Sequence, residues 1–169
     1  MDQTNDVIAR CEDHLRGNPH VYAHKARRKK IALIRVELRN QGSDSVRLDL
    51  SNAELEAGAR FVSVVSPERI LRRFSEFTWD FLLFAVLDFH PILIAADLFF
   101  LICGPLYNRR LKRQLSELTN SAIELQPGES RTVLLGFEAS GEAPTSLKIP
   151  MQSDGQGRQL LRSDIGGTG

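Results

Sequence analysis

The chain has 169 residues, enough for one domain of ordinary size or a small domain carrying an insertion. Its 22 Lys and Arg against 21 Asp and Glu leave a net charge of +1, so bulk charge gives no argument for nucleic acid or an acidic substrate. The two cysteines, Cys11 and Cys103, lie far apart without C-x-x-C spacing, which argues against a disulfide framework or a zinc site and for two reduced, buried thiols.

The opening stretch MDQTNDVIARCEDHLRG lacks a basic n-region and an apolar h-region, so it does not read as a secretory signal. It suits either a cytoplasmic start or a chain whose export signal has been removed. Residues 5–16 read as a short helix inside an N-terminal helical segment, 1–18: Asn5 or Asp6 caps it, Val7, Ile8, Cys11 and Leu15 share a face, and Gly17 ends it. NPHVYAHKARRKK then reads as extended and basic.

From residue 31 the period changes to two. Ile34, Val36 and Leu38 alternate with Arg35, Glu37 and Arg39, as in a half-buried strand. NQGSDS is turn chemistry, VRLDL alternates again, and FVSVV closes this group of strands. The same grammar returns in AIELQPGESRTVLLGFEA, a strand, a Pro-Gly turn and a strand. TSLKIPMQ and RQLLR follow as short strands, and residues 164–169 read as a disordered tail. Short strands between Gly, Asn, Pro and Ser turns predict a mainly β fold, an immunoglobulin-like β-sandwich built from two halves, 19–65 and 120–163. Neither half has strands enough alone.

Between the halves, residues 66–119 read as an inserted helical hairpin. SPER is a helix start, with Ser66 as cap, Pro67 in the first turn and Glu68 near the positive end of the dipole. Residues 77–107 hold six of the nine Phe, the only Trp and one of the two Tyr. DFHP breaks the helical pattern, since His90 before Pro91 is biased away from α geometry while Pro91 suits the start of a second helix, which can kink at Gly104–Pro105.

The two apolar arms, 77–89 and 91–106, reach roughly 20 and 24 Å at about 1.5 Å per residue. Each is shorter than a hydrocarbon core of about 30 Å. One continuous helix would span, but a single crossing would separate the two halves of the sandwich. The charge pattern also favours a hairpin: Arg72 and Arg73 flank one arm, Arg109, Arg110, Lys112 and Arg113 the other, with Trp79 and Tyr107 just inside. Phe77, Trp79, Phe81, Phe84, Leu87, Ile92, Ile94, Phe99, Phe100 and Tyr107 are the expected membrane or oligomer contacts, and the six basic residues the expected interface. Asp88 and Asp97 oppose a lipid-bathed hairpin, because a charged Asp at mid-bilayer costs on the order of 2.5–3.5 kcal/mol. Asp97 favours arms that assemble with copies of themselves.

No nucleophile elbow, P-loop, dinucleotide fingerprint or H-E-x-x-H occurs. Asp88 and His90 read as a cap and a turn before an acid–base pair. His20 and His24 lack a third metal ligand apart from Cys11 and His14, and the basic run 25–30 reads as a solvated loop before a lipid contact, and a lipid contact before nucleic acid. The residues thus call for no catalytic or metal site and no cofactor.

VELRN at 36–40, SPE at 66–68, an N-x-x-L basic helix at 108–111 and L-x-PG-E-S at 125–130 follow one another in an order that resembles bacterial envelope proteins, often lipoproteins, of unknown function. Those proteins carry an immunoglobulin-like sandwich interrupted by a hydrophobic helical insert. Here the insert is rich in Phe and Leu instead of Gly and Ala, and the lipoprotein signal is missing. The resemblance implies a membrane-associated binding or assembly module at the bacterial cell envelope, on either side of the membrane. Its expected partners are membrane lipid, further copies of itself and an unidentified protein, with no nucleic acid. The alternative is a soluble homo-oligomer whose hairpins form a helical bundle.

Overall fold

A computed structural model describes residues 7–15, 22–75, 91–139, 141–153 and 158–165, with backbone alone described over 91–102 and at 158. The chain is mainly β, with two sheets and helical segments. It divides into two compact units, Met1–Ile70 with Glu117–Gly169, and Leu71–Ser116.

In the first unit, β1 (Val7–Asp13), β2 (Ile31–Asn40) and β7 (Ser130–Glu138) form an antiparallel sheet in the order β1-β2-β7. The second sheet holds β3 (Val46–Leu48), β4 (Glu54–Ala57), β5 (Arg60–Ser63), β6 (Ile123–Leu125), β8 (Pro144–Ser153) and β9 (Arg158–Asp164). Strand β8 organises it. One edge of β8 pairs with β4 and then with β3, and the other pairs with β9. Pro150 falls between the β4 and β3 stretches, where a missing N–H breaks no ladder with either. Its carbonyl instead accepts from Asp49 N at 2.8 Å, where a short 3-10 turn, Leu50–Asn52, begins.

Both sheets feed one core. Ile34, Val36 and Leu38 of β2 and Val133, Leu135 and Phe137 of β7 pack with Leu48, Leu55, Leu147, Ile149 and Leu161 of the larger sheet. Alternation along β2 and β7 supplies this face directly, since successive side chains of a strand point to opposite sides. The sheets also meet at both margins. Cys11 bridges Ile165, with Ser163 Oγ donating to Ala9 O at 2.8 Å; at the other margin Val64 bridges Phe137.

Asn40, fully buried at the end of β2, ties the two sheets together at one end. Its Nδ2 donates to Leu125 O of β6 at 3.0 Å and to Asp44 O at 2.8 Å, and its Oδ1 accepts from Gly42 N at 3.0 Å. The backbone of Asn40 meets the next turn: its N–H donates to Glu129 O and its carbonyl accepts from Gly128 N, both at 3.0 Å. That turn closes with Glu129 N on Gln126 O, with Pro127 second and Gly128 third at φ +78°, the type II pattern in which only Gly is unstrained.

Three expectations are corrected. Residues 5–16 were expected as a helix, yet 7–13 form β1, paired with β2 from Val7↔Asn40 to Asp13↔Ile34. Val7 and Cys11 satisfy a period of two as well as a helical face, and an available edge on β2 decides between them. The extended basic stretch contains a short helix, α1 (Ala23–Arg28), with Ala26 buried. Residues 164 and 165, expected in a disordered tail, are instead paired: Asp164 ends β9 and Ile165 N donates to Thr145 O at 3.0 Å.

In the second unit, α2 (Pro67–Phe74) crosses the boundary between the units, and α3 (Pro91–Gln114) makes up most of the described part. The helix α3 continues through Gly104–Pro105, although Pro105 has no N–H for the preceding turn. At 24 residues it is about 36 Å long at ~1.5 Å per residue.

Replacing Asn40 by Ala strands the buried Leu125 carbonyl and removes the partner of the part-buried Asp44 O and Gly42 N, so Asn40→Ala should lose about 1–3 kcal/mol in denaturant unfolding. Asn40→Asp keeps the Gly42 acceptor but sets a carboxylate against both carbonyls, and it should be no milder. A Cβ at Gly136 would lie 2.0 Å from Ile70 Cδ1, so Gly136→Ala should cost roughly 1–3 kcal/mol, with part recovered in combination with Ile70→Val.

Candidate functional site

The insertion is rooted on the outer edge of β7. The inserted segment departs after Val65, whose N–H donates to Gly136 O at 2.7 Å. It returns at Glu117–Leu118–Thr119, where Leu134 N donates to Glu117 O at 2.9 Å and Thr119 N donates to Leu134 O at 3.0 Å. Exit and re-entry therefore dock two residues apart on one strand, roughly 7 Å at ~3.4 Å per residue. Ile70, fully buried, packs over Gly136 beside these bonds, and Leu33 lies next to the same glycine. Arg69 and Glu138 form an ion pair at 3.7 Å, but both are about half exposed, so it adds under about 1 kcal/mol.

Beyond the root, Arg72 is exposed and Arg73 half-buried on α2. On α3 the faces separate by helical spacing: Gly104 and Leu111 are buried, as is Leu115 just past its end, while Leu106, Arg109, Arg110, Lys112 and Arg113 are exposed. Tyr107 is half-buried. Ile92, Ile94, Asp97, Phe99 and Phe100 lie on the N-terminal half of α3 by backbone position. Phe77, Trp79, Phe81, Phe84, Leu87, Asp88 and His90 lie outside the described residues. Among the described residues no helix is long and apolar enough to cross a membrane.

Among the described residues the candidate metal ligands do not converge. Cys11 faces the core, where burial pushes its thiol above the usual range against the opposing Ser163 hydrogen bond. His24 is exposed on α1, and His14 Nε2 lies 2.8 Å from Tyr22 Oη. His20 is outside the described residues. Both cysteines are free thiols; Cys103 is half-buried where full burial was expected.

Three features of the first unit escaped the sequence reading. A cleft of about 610 Å³ has a floor that includes Leu15, Ile31, Leu55 and Ile165, with Arg27 and Glu142 among its charged residues. On the outer face of the larger sheet, Glu56 receives Ser146 Oγ at 2.8 Å, Arg162 at 3.4 Å and Lys148 at 3.8 Å. The Ser146 bond first, then the two cations, hold the Glu56 carboxyl below its usual range. Lys148 also sits 4.1 Å from the centre of the exposed Phe61 ring, a cation–π contact. Finally, Tyr22 is fully buried with its hydroxyl on His14, and burial together with the nearby Glu117 carboxylate raises its pKa to about 12. Glu56 lies 90 residues from Ser146 and 106 from Arg162, so only strand register reveals that cluster.

Comparison with protein-family models, curated proteins and solved structures returned no match.

Because folding raises the Tyr22 pKa from 10.0 to about 12, its neutral form contributes stability that is complete below pH 10 and lost as pH climbs toward 12. Unfolding curves across that window should show a loss of roughly 2–3 kcal/mol from this residue. Tyr22→Phe should flatten that part of the profile.

Proposed function

We propose that this chain is a non-enzymatic, membrane-associated binding or assembly module: an immunoglobulin-like β-sandwich that carries a hydrophobic helical hairpin and is held at the bacterial cell envelope by it. The root of the insertion on β7 carries the reading. Both ends of the segment leave one strand edge two residues apart, so a path that enters a membrane must return to the side it came from. A hairpin meets that requirement and a single span does not.

Three further observations support it. The Phe-rich sequence 77–107 is bordered by basic residues on both sides, the pattern of interfacial anchoring. Two antiparallel sheets with a common core support the sandwich. The VELRN and PG-E-S segments that carry the resemblance to envelope proteins meet at Asn40, which bonds to Leu125, Gly128 and Glu129. The sandwich would present the surface for a protein partner, and the hairpin would supply attachment.

Asp97 favours a second reading. A carboxylate in the apolar half of α3 is better accommodated between copies than in lipid, as in a soluble homo-oligomer with a central helical bundle.

Membrane flotation of the intact chain and a detergent-free sizing run separate the two. Flotation with extraction only by detergent supports the membrane hairpin. A sharp oligomer that stays in the aqueous fraction overturns it in favour of the bundle. Phe84→Asp with Phe99→Asp should move the protein from the membrane to the aqueous fraction, and retention at the membrane would count against apolar anchoring.

A further inference from the structure

The C-terminal half of α3 carries a face of one charge. Arg109, Arg110, Lys112 and Arg113 are all exposed, and none has an ion-pair partner among the described residues. Between Pro91 and Ser116 the sequence holds a single acid, Asp97, three turns upstream. At 100° per residue the four cations, with Leu106, occupy one side of the helix, and Gly104 and Leu111 occupy the other.

The helix dipole accounts for part of this pattern only. Cations are favourable in the last turn of a helix, which here holds Lys112 and Arg113, and the effect fades beyond that turn. Arg109 and Arg110 lie a turn earlier and need another reason. Directly above them the face turns apolar: Leu106 is 57% exposed and continues the sequence of Ile and Phe residues in the first half of α3. Exposed Leu followed by unpaired Arg along one helix face matches the gradient from acyl chain to headgroup. A zwitterionic surface offers these cations little, whereas an anionic leaflet attracts juxtamembrane Lys and Arg.

We propose that this face is a docking site for anionic phospholipid headgroups, with Arg109 and Arg110 its principal contacts. The proposal rests on the membrane reading above and adds the class of lipid. The attraction falls off within a Debye length, so it should weaken with salt while apolar anchoring does not.

The test uses the intact chain, transferred from mild detergent onto vesicles of phosphatidylcholine alone or of phosphatidylcholine with phosphatidylglycerol. Partitioning should be stronger on the anionic vesicles and weaken with added salt. Arg109→Gln with Arg110→Gln leaves the final turn intact and should reduce partitioning on anionic vesicles about 25-fold, roughly fivefold per cation. Arg27→Gln with Arg28→Gln on α1 removes the same charge elsewhere and should have little effect; an equal loss would mean net charge and overturn the assignment. Circular dichroism of both variants reports whether they fold, and for a misfolded variant the salt dependence of the parent chain decides instead. Equal, salt-insensitive binding to both vesicle types overturns the headgroup proposal and leaves the membrane reading standing. Binding to neither type overturns both. Preference for a duplex oligonucleotide over anionic vesicles would reassign the face to nucleic acid.

Discussion

Strand β7 must satisfy its backbone on both edges, and much of the molecule follows from how it does so. One edge pairs with β2 from Ser130 to Glu138. The other would present unpaired N–H and C=O groups next to the core, and a buried polar group left without a partner costs free energy comparable to a lost hydrogen bond. Three of those groups, Leu134 N, Leu134 O and Gly136 O, are met by Val65, Glu117 and Thr119, the residues where the insertion departs and returns. The same strand therefore completes the smaller sheet, joins it to β5 through the Val64 bridge, and roots a segment of opposite solvent preference.

That arrangement separates two physical tasks. The first unit has its own core, sheets joined at both margins and a satisfied buried asparagine, so its stability does not call on the apolar insertion for a hydrophobic face. The insertion is left to be apolar for another purpose. Exposed cations cluster at the C-terminal end of α3, where the next acid in the sequence is Glu117, and a surface of one charge gains from a counter-charged partner. The polar cluster around Glu56 on the larger sheet is different in kind: its carboxylate is already neutralised by Lys148 and Arg162, and Phe61 and Leu160 stand exposed on the same sheet.

Asn40 joins what the sequence presents as separate motifs. It ends an alternating strand, and the Pro-Gly turn lies more than eighty residues later, yet three of its five hydrogen bonds, to Leu125, Gly128 and Glu129, hold the two against each other, while the other two close its own turn at Gly42 and Asp44. A buried amide is stable only when its capacity is met, and here both donors and the acceptor are used. This hub specifies register as well as stability, because a shift of one residue in β2 would turn the amide away from Leu125 and Asp44.

By itself the sequence determined the strands whose side chains alternate strongly and the turns whose backbone demands Gly. β2 and β3 and the Pro-Gly turn at Gly128 were legible for that reason, β7, β8 and β9 as short apolar runs bounded by turn residues, and the start of α3 from Pro91. Local pattern could not choose between helix and strand for residues 7–13, where Val7 and Cys11 fit either period; the open edge of β2 chose. Nor could it foresee Ile165 paired with Cys11, because a polar, Gly-rich ending orders only where another strand offers it hydrogen bonds. The Glu56 cluster and the β7 root were decided by tertiary structure alone. Their members lie tens of residues apart, and only strand pairing, which acts through space, brings them within hydrogen-bonding distance.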